Sequence, residues 1–331
     1  MHSKAANLVL FFFVLFYSLI TFSRNTVWQT DFTLWTDVVE KSPLKARAYN
    51  EIGNFYKKMD KLDRAEKFYL AALSLLPNYA DAIINLGTIY HKKGMFDAAI
   101  DAYKRAIDIR PVIYEAYINL GLVYTDVGRL DDAIEEFSTA IRLQPRNPQA
   151  HINLGAIYYG MGRLEEAEVE FLKALEGDPH NLTALTNLGN TYHRMGKIEE
   201  ALSAYKKVLS INPRHQMARM SLGLVYMDEG RTKDAIEEFE KLLEYNTNNP
   251  SIHNNLGIAY AQIGRLDRAE EEFLSALSIK PGYTSARYNL AQVYIKQGRL
   301  DEAKRELEKL LSMDPSNKDA IEELERIKHS P

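Results

Sequence analysis

The chain has 331 residues, 46% of them hydrophobic, and a net charge of −4 at pH 7 with both signs interspersed. A mixed, near-neutral charge pattern predicts no nucleic-acid-binding face, which would need clustered cations. The absence of cysteine removes disulfides, thiolate metal sites and cysteine nucleophiles.

Ala5 to Ser23 carries no charge, and Leu8 to Ile20 is almost wholly apolar. As a helix these 19 residues would reach about 28 Å, close to the roughly 30 Å of a bilayer's hydrocarbon. A cleaved signal peptide beginning at Lys4 is the competing reading. Leu19, Ile20 and Phe22, however, fill the flank where cleavage needs small residues. Residues 1–23 are therefore expected to be a retained transmembrane helix (a signal anchor), making the chain a single-pass membrane protein. Lys4 and Arg24 leave its orientation nearly balanced.

Residues 24–45 follow as a juxtamembrane segment. Trp28, Phe32, Leu34, Trp35, Val38 and Val39 make an apolar stripe at helical spacing. The stripe reads as a helix over 26–41, the second half of a degenerate leading repeat. Alternatively, Trp28 and Trp35 form an aromatic belt at the membrane interface.

From here a 34-residue period governs the chain. Gly53, Gly87, Gly121, Gly155, Gly189, Gly223 and Gly257 are each 34 residues apart, and Ala291 takes the next slot. Tyrosines lie three residues after each of these positions, from Tyr56 to Tyr294, and Ala65 to Ala303 recur at the same period. A small residue in each helix of a hairpin predicts a close crossing, which explains glycine's cost of about 1 kcal/mol in a helix interior. Gly94, Gly128, Gly162, Gly196, Gly230, Gly264 and Gly298 are expected to end the first helices in the left-handed conformation. Asp97, Asp131, Glu165 and Asp301 suit the positive start of the second helices. Prolines at 77, 111, 145, 179, 213, 281 and 315 close the units. Eight units thus fill 46–317, beginning near 46, 80, 114, 148, 182, 216, 250 and 284. The first (Glu51, Asp60), sixth (Ser221, Thr247) and eighth (Ala291, Leu307) depart most from the pattern. Residues 318–331 are expected to form a capping helix with Ile321, Leu324 and Ile327 on one face. Ser316 and Asp319 are spaced as a capping box.

The Leu-Gly-x-x-Tyr, Ala, Phe and Pro landmarks over about 46–317 resemble the tetratricopeptide repeat. That resemblance implies an all-α, right-handed superhelical solenoid: eight full repeats, a leading half-repeat and a C-terminal cap, behind one N-terminal transmembrane helix. Such repeats bind proteins or extended peptides on a concave face.

Asn85, Asn119, Asn153, Asn187, Asn255 and Asn289 precede the Leu-Gly pairs in register, with Ser221 as the break in the row. A primary amide offers both a donor and an acceptor to a peptide backbone. The row resembles the asparagine ladder of the O-linked N-acetylglucosamine transferase superhelix, which implies peptide-binding roles for these six residues. The competing reading is that each amide bonds locally to turn or neighbouring-repeat backbone and stabilises stacking. Met217, Met220 and Met227 are candidates for an adaptable apolar patch or for core filling. Lys57, Lys58 and Lys92 hint at a chaperone-type carboxylate clamp, a pattern that does not persist along the chain.

No catalytic constellation, metal site or cofactor site is expected. His91 and His193 share one slot three repeats apart, as do His151 and His253, so neither pair can share a metal ion. Asn181-Leu182-Thr183 fits a glycosylation sequon. Around residues 20–50, the order Arg24-Asn25, Trp28, Asp31, Leu34-Trp35, Lys41-Ser42-Pro43 resembles the membrane-to-repeat junction of multi-spanning O-mannosyltransferase-like glycosyltransferases. That resemblance implies an array on the exoplasmic side (periplasmic or lumenal). There it would present acceptor proteins to a membrane glycosyltransferase, as a tail or detached subunit. The leading expectation is a non-catalytic, membrane-anchored scaffold that binds an extended peptide or protein partner in its concave groove.

Overall fold

The structure, a computed structural model, describes residues 31–328. Among them stand eighteen helices and no strand. The leading helix α1 spans Asp31–Lys41. Eight hairpins follow: α2 (Ala46–Lys58) with α3 (Leu62–Leu75), α4 (Ala80–Lys92) with α5 (Phe96–Ile109), α6 (Tyr114–Asp126) with α7 (Leu130–Leu143), and α8 (Pro148–Gly160) with α9 (Leu164–Gly177). Then come α10 (Leu182–Arg194) with α11 (Ile198–Ile211), α12 (Gln216–Asp228) with α13 (Thr232–Leu243), α14 (Pro250–Gln262) with α15 (Leu266–Ile279), and α16 (Thr284–Lys296) with α17 (Leu300–Met313). Helix α18, Lys318–Lys328, ends the described chain. The chain divides into two compact units, the first ending at Ile157 and the second beginning at Tyr158.

The expected single-pass membrane localisation is corrected. No helix among the described residues is long and apolar enough to cross a membrane. The longest hairpin helices have 14 residues, about 21 Å at 1.5 Å per residue, and one polar face each. The expected helix over 1–23 and Trp28 lie outside the described residues. Trp35 lies within them, half-buried, with the Arg47 guanidinium 5.7 Å from its ring. Phe32 stacks on Phe55 at 4.3 Å, so α1 packs on the first full hairpin.

In the first unit, each small first-helix residue meets an aromatic ring. A Cβ on Gly53 would come within 2.5 Å of Tyr69, and one on Gly121 within 2.7 Å of Phe137. The second unit repeats this at Gly189 with Tyr205 and Gly257 with Phe273. The glycine therefore makes room for the ring sixteen residues later rather than for the second-helix alanine. In the last hairpin the ring is replaced by Leu307, and the slot takes Ala291.

The ring's identity is matched across the hairpin. Buried tyrosines need a partner for the hydroxyl, and Tyr69 donates to Asn54 (2.9 Å), Tyr103 to Thr88 (3.2 Å) and Tyr205 to Asn190 (2.7 Å). Where the ring is Phe137, Phe239 or Phe273, the facing residue is Leu122, Leu224 or Ile258.

The turn glycines have φ between 70° and 78°, with nothing near the place of a Cβ. They are needed for backbone conformation alone. Asp60 fills this slot in the first hairpin at φ 55°. In several hairpins the next slot holds a cation that lies over the first-helix tyrosine: Arg129 is 4.4 Å from Tyr124, and Arg299 is 4.3 Å from Tyr294. Arg129 also pairs with Asp132 and Arg299 with Glu302, in the first turn of the second helix.

A second pair of slots varies from hairpin to hairpin. In the sixth to eighth hairpins a basic side chain on the first helix meets a glutamate on the second: Arg219 with Glu238, His253 with Glu272 (2.7 Å), and Arg287 with Glu306. The same side chain donates to the carbonyl that closes the preceding turn, Arg219 to Pro213 (2.6 Å) and Arg287 to Pro281 (2.8 Å). In the second and fifth hairpins these slots hold Ile83 with Ala102 and Leu185 with Ala204 instead.

At the C-terminal end the expected capping box is replaced by a different cap. Asn317 Oδ1 accepts from the Ala320 amide at 3.0 Å, while the Ser316 hydroxyl donates to Asp314 at 2.9 Å. Helix α18 covers Leu307 and Leu310 with Ala320, Leu324 and Ile327.

A candidate peptide-binding face on the first helices

The asparagine row divides into two classes. Asn85 Nδ2 donates to Asn50 Oδ1 at 3.1 Å in the preceding hairpin, and Asn289 Nδ2 to Asn254 Oδ1 at 3.1 Å. Asn255 Nδ2 points to Met220 Sδ at 3.3 Å. These three amides tie one repeat to the one before it, through side chains rather than through the neighbouring-repeat backbone that the competing reading expected. The contact always runs to the residue 35 positions earlier.

For Asn119 and Asn153 those positions are Ile84 and Ile118, which offer no acceptor. The half-buried Asn119 side chain bonds to nothing among the described residues. Asn153 Oδ1 accepts from the exposed Gln149 Nε2 at 2.9 Å, and its Nδ2 has no partner. In the second unit Asn187 uses only its backbone carbonyl, which accepts from Thr191 at 2.8 Å. A polar group left half out of water without a partner costs about 1–3 kcal/mol if it is not satisfied on binding. Asn119, Asn153 and Asn187 are thus the members of the row whose side chains make no bond to the preceding repeat, and the Nδ2 of Asn153 is itself buried.

The methionines separate as well. Met217 is 61% exposed, whereas Met220 and Met227 are half-buried and pack on the core of the second unit. Leu224, 39% exposed, lies on the same stripe of α12 between them, a member that sequence reading missed. Its signal was Phe239, the partner ring that needs no polar neighbour. Near the front, Lys57 donates to Asn85 Oδ1 at 2.6 Å. Burial, then Lys92 and Lys58, lowers the Lys57 pKa. Lys92 itself pairs with Asp60 at 3.3 Å.

The histidines are held in pairs within each unit: His91 lies 2.6 Å from Asp126 and His193 3.0 Å from Asp228, each bridging successive hairpins. Asn181 caps α10, accepting from the Ala184 amide at 3.0 Å and donating to Asp178 at 3.1 Å. Its amide is thus engaged at the helix start in the folded chain.

A family model described as the cilia and flagella-associated protein 70 C-terminal domain matches residues 112–325, and one described as the tetratricopeptide repeat matches 44–111. The chain belongs to the tetratricopeptide repeat family. Both matches begin at or after residue 44, so the glycosyltransferase resemblance of residues 20–50 gains no support from them. No curated protein matches the chain. Among solved structures, PilF of Pseudomonas aeruginosa is similar at 22% identity and a TM-score of 0.57, covering 64% of this chain and 97% of its own. A tetratricopeptide repeat protein of Parabacteroides merdae is similar at 20% identity and a TM-score of 0.57, covering 76% and 99%. Both likenesses concern the fold. YrrB, described as a repeat protein with an unusual peptide-binding site, aligns at 28% identity and a TM-score of 0.44, covering 56% and 95%.

Proposed function

We propose that this tetratricopeptide repeat chain is a non-catalytic scaffold that binds extended peptide of a protein partner along the first helices of each unit. The observation that carries this reading is the division of the asparagine row. Asn85, Asn255 and Asn289 are consumed in bonds between repeats, while the side chains of Asn119, Asn153 and Asn187 make no such bond, Asn153 pairing only with Gln149 of its own helix. An extended peptide repeats a donor and an acceptor at every residue, which is what such amides can pair with irrespective of side-chain identity. In the second unit Met217 and Leu224 add an exposed apolar stripe for one larger side chain.

The test uses a peptide ligand selected from a displayed library on the wild-type chain. Replacing Asn119, Asn153 and Asn187 together by Ala is expected to leave helical content unchanged and to weaken that ligand at least tenfold. Replacing Asn85 and Asn289 by Ala is expected to lower stability instead. Unchanged affinity in the triple variant would sink the ladder.

A further inference from the structure

The second unit carries a cavity of about 490 Å³ that is separate from the asparagine row. Its walls are the second helices α9 and α11, through Leu172, Leu175, Ser203 and Ala204, and its floor is α10, through Leu185, Leu188 and Tyr192. The physical reason it is open is the slot pair described above. The sixth, seventh and eighth hairpins fill this place with Arg219–Glu238, His253–Glu272 and Arg287–Glu306. The fifth has Leu185 and Ala204 there, and the space stays empty and apolar.

The same lining is written a second time, 102 residues earlier and wholly within the first unit. Leu70, Leu73, Ile83, Leu86, Tyr90 and Ala102 stand where Leu172, Leu175, Leu185, Leu188, Tyr192 and Ala204 stand. Leu73, Leu86 and Tyr90 pack in one cluster there, as Leu175, Leu188 and Tyr192 do in the second unit. Leu70 is 46% exposed and Leu172 42%. Two of the charges correspond too. Glu199 and Lys207 at the two ends of α11 are matched on α5 by Asp97 and Arg105, whereas Glu200 stands where Ala98 does and Asp101 where Ser203 does. Glu199, Glu200, Lys207, Asp97 and Asp101 are exposed and form no ion pair among the described residues.

We propose that the second-helix face holds two copies of one docking trough, each taking a single amphipathic helix of a protein partner whose apolar stripe is flanked by cations. A trough walled by two helices accepts the side-chain ridge of a third. The acidic end selects Lys or Arg beside the apolar stripe. Lys207 and Arg105, eight residues on from Glu199 and Asp97, or about 12 Å along the helix, select an acidic residue two turns away. This site is independent of the asparagine row, and its partner binds by side chains rather than by backbone.

The probe is a displayed library of single-helix peptides selected on the full chain, with the best binder then followed by calorimetry. Two peptides per chain are expected. Leu185→Arg with Ala204→Glu copies the Arg219–Glu238 pair of the sixth hairpin, so it preserves the fold while filling the second trough. Ile83→Arg with Ala102→Glu does the same to the first. Each double variant is expected to bind one peptide, and the quadruple variant to bind at least tenfold more weakly with its melting temperature kept. The Asn119, Asn153 and Asn187 triple Ala variant is expected to keep both sites. Binders that keep full affinity and stoichiometry on the quadruple variant, or no binder at all, would overturn the proposal. Self-association that only the quadruple variant abolishes would also overturn it, by making the occupant a second copy of this chain.

Discussion

At the scale of single residues, the repeat is held by matched pairs whose members lie on different helices. Gly121 faces the Phe137 ring so closely that a Cβ would sit 2.7 Å from it, and Phe137 is fully buried. Alanine is intrinsically the better helix former by about 1 kcal/mol, but overpacking a tight core costs about 1–3 kcal/mol. Gly121→Ala is therefore expected to destabilise the chain in urea titration, and so is Ala291→Gly, which loses helix propensity and a methyl group buried beside Leu307. The tyrosine pairs give a pH signature. Burial pushes the Tyr103 and Tyr205 hydroxyls up to about 12 from 10.0. A raised folded-state value means that the stabilisation is complete below the unfolded value and is lost as pH rises through the folded one. Stability is thus expected to fall between pH 10 and 12, by on the order of 2 kcal/mol per tyrosine. Tyr103→Phe with Thr88→Leu, and Tyr205→Phe with Asn190→Leu, copy the Phe137–Leu122 pair. Phenolate absorbance that follows unfolding only in the wild type would bear this out, and an identical alkaline transition in the copied pairs would refute it.

At the scale of the helical hairpin, the turn is where the sequence was most legible. The glycine at each first-helix end has no neighbour, so its only role is a positive φ, and that requirement can be read from one sequence. Asp60 marks the turn where the rule is broken. A left-handed conformation costs an L-residue about 1–2 kcal/mol, partly offset by glycine's greater freedom when unfolded. Asp60→Gly is expected to raise stability by roughly 0.5–1 kcal/mol, read as a higher melting temperature. An unchanged or lower one would show that the Asp60 contact with Lys92 matters more. The pairs that sort the hairpins were not legible in the same way. Arg219, His253 and Arg287 share a slot with Leu185 and Ile83, and only the geometry shows that each faces the residue nineteen positions later. The C-terminal cap failed for a related reason. Ser316 has the spacing of a capping box, but Asn317 is one residue nearer the helix and takes the role.

At the scale of the whole molecule, periodicity announced the all-helical fold because every landmark recurs at 34 residues. It could not announce the division of the asparagines, since all six look alike from within their own repeat. What separates them is the residue 35 positions earlier: Asn50 or Asn254 gives a partner, and Ile84 or Ile118 gives none. Function on this account lies in the mismatches between neighbouring repeats, and the regular positions explain only stacking. The most direct measurement is the NMR titration of the asparagine side-chain amides with the peptide ligand selected on the wild-type chain. The account predicts that the NH₂ signals of Asn119, Asn153 and Asn187 shift on binding while those of Asn85 and Asn289, already bonded between repeats, hold still. Shifts of Asn85 and Asn289 with silence at Asn119, Asn153 and Asn187 would contradict it.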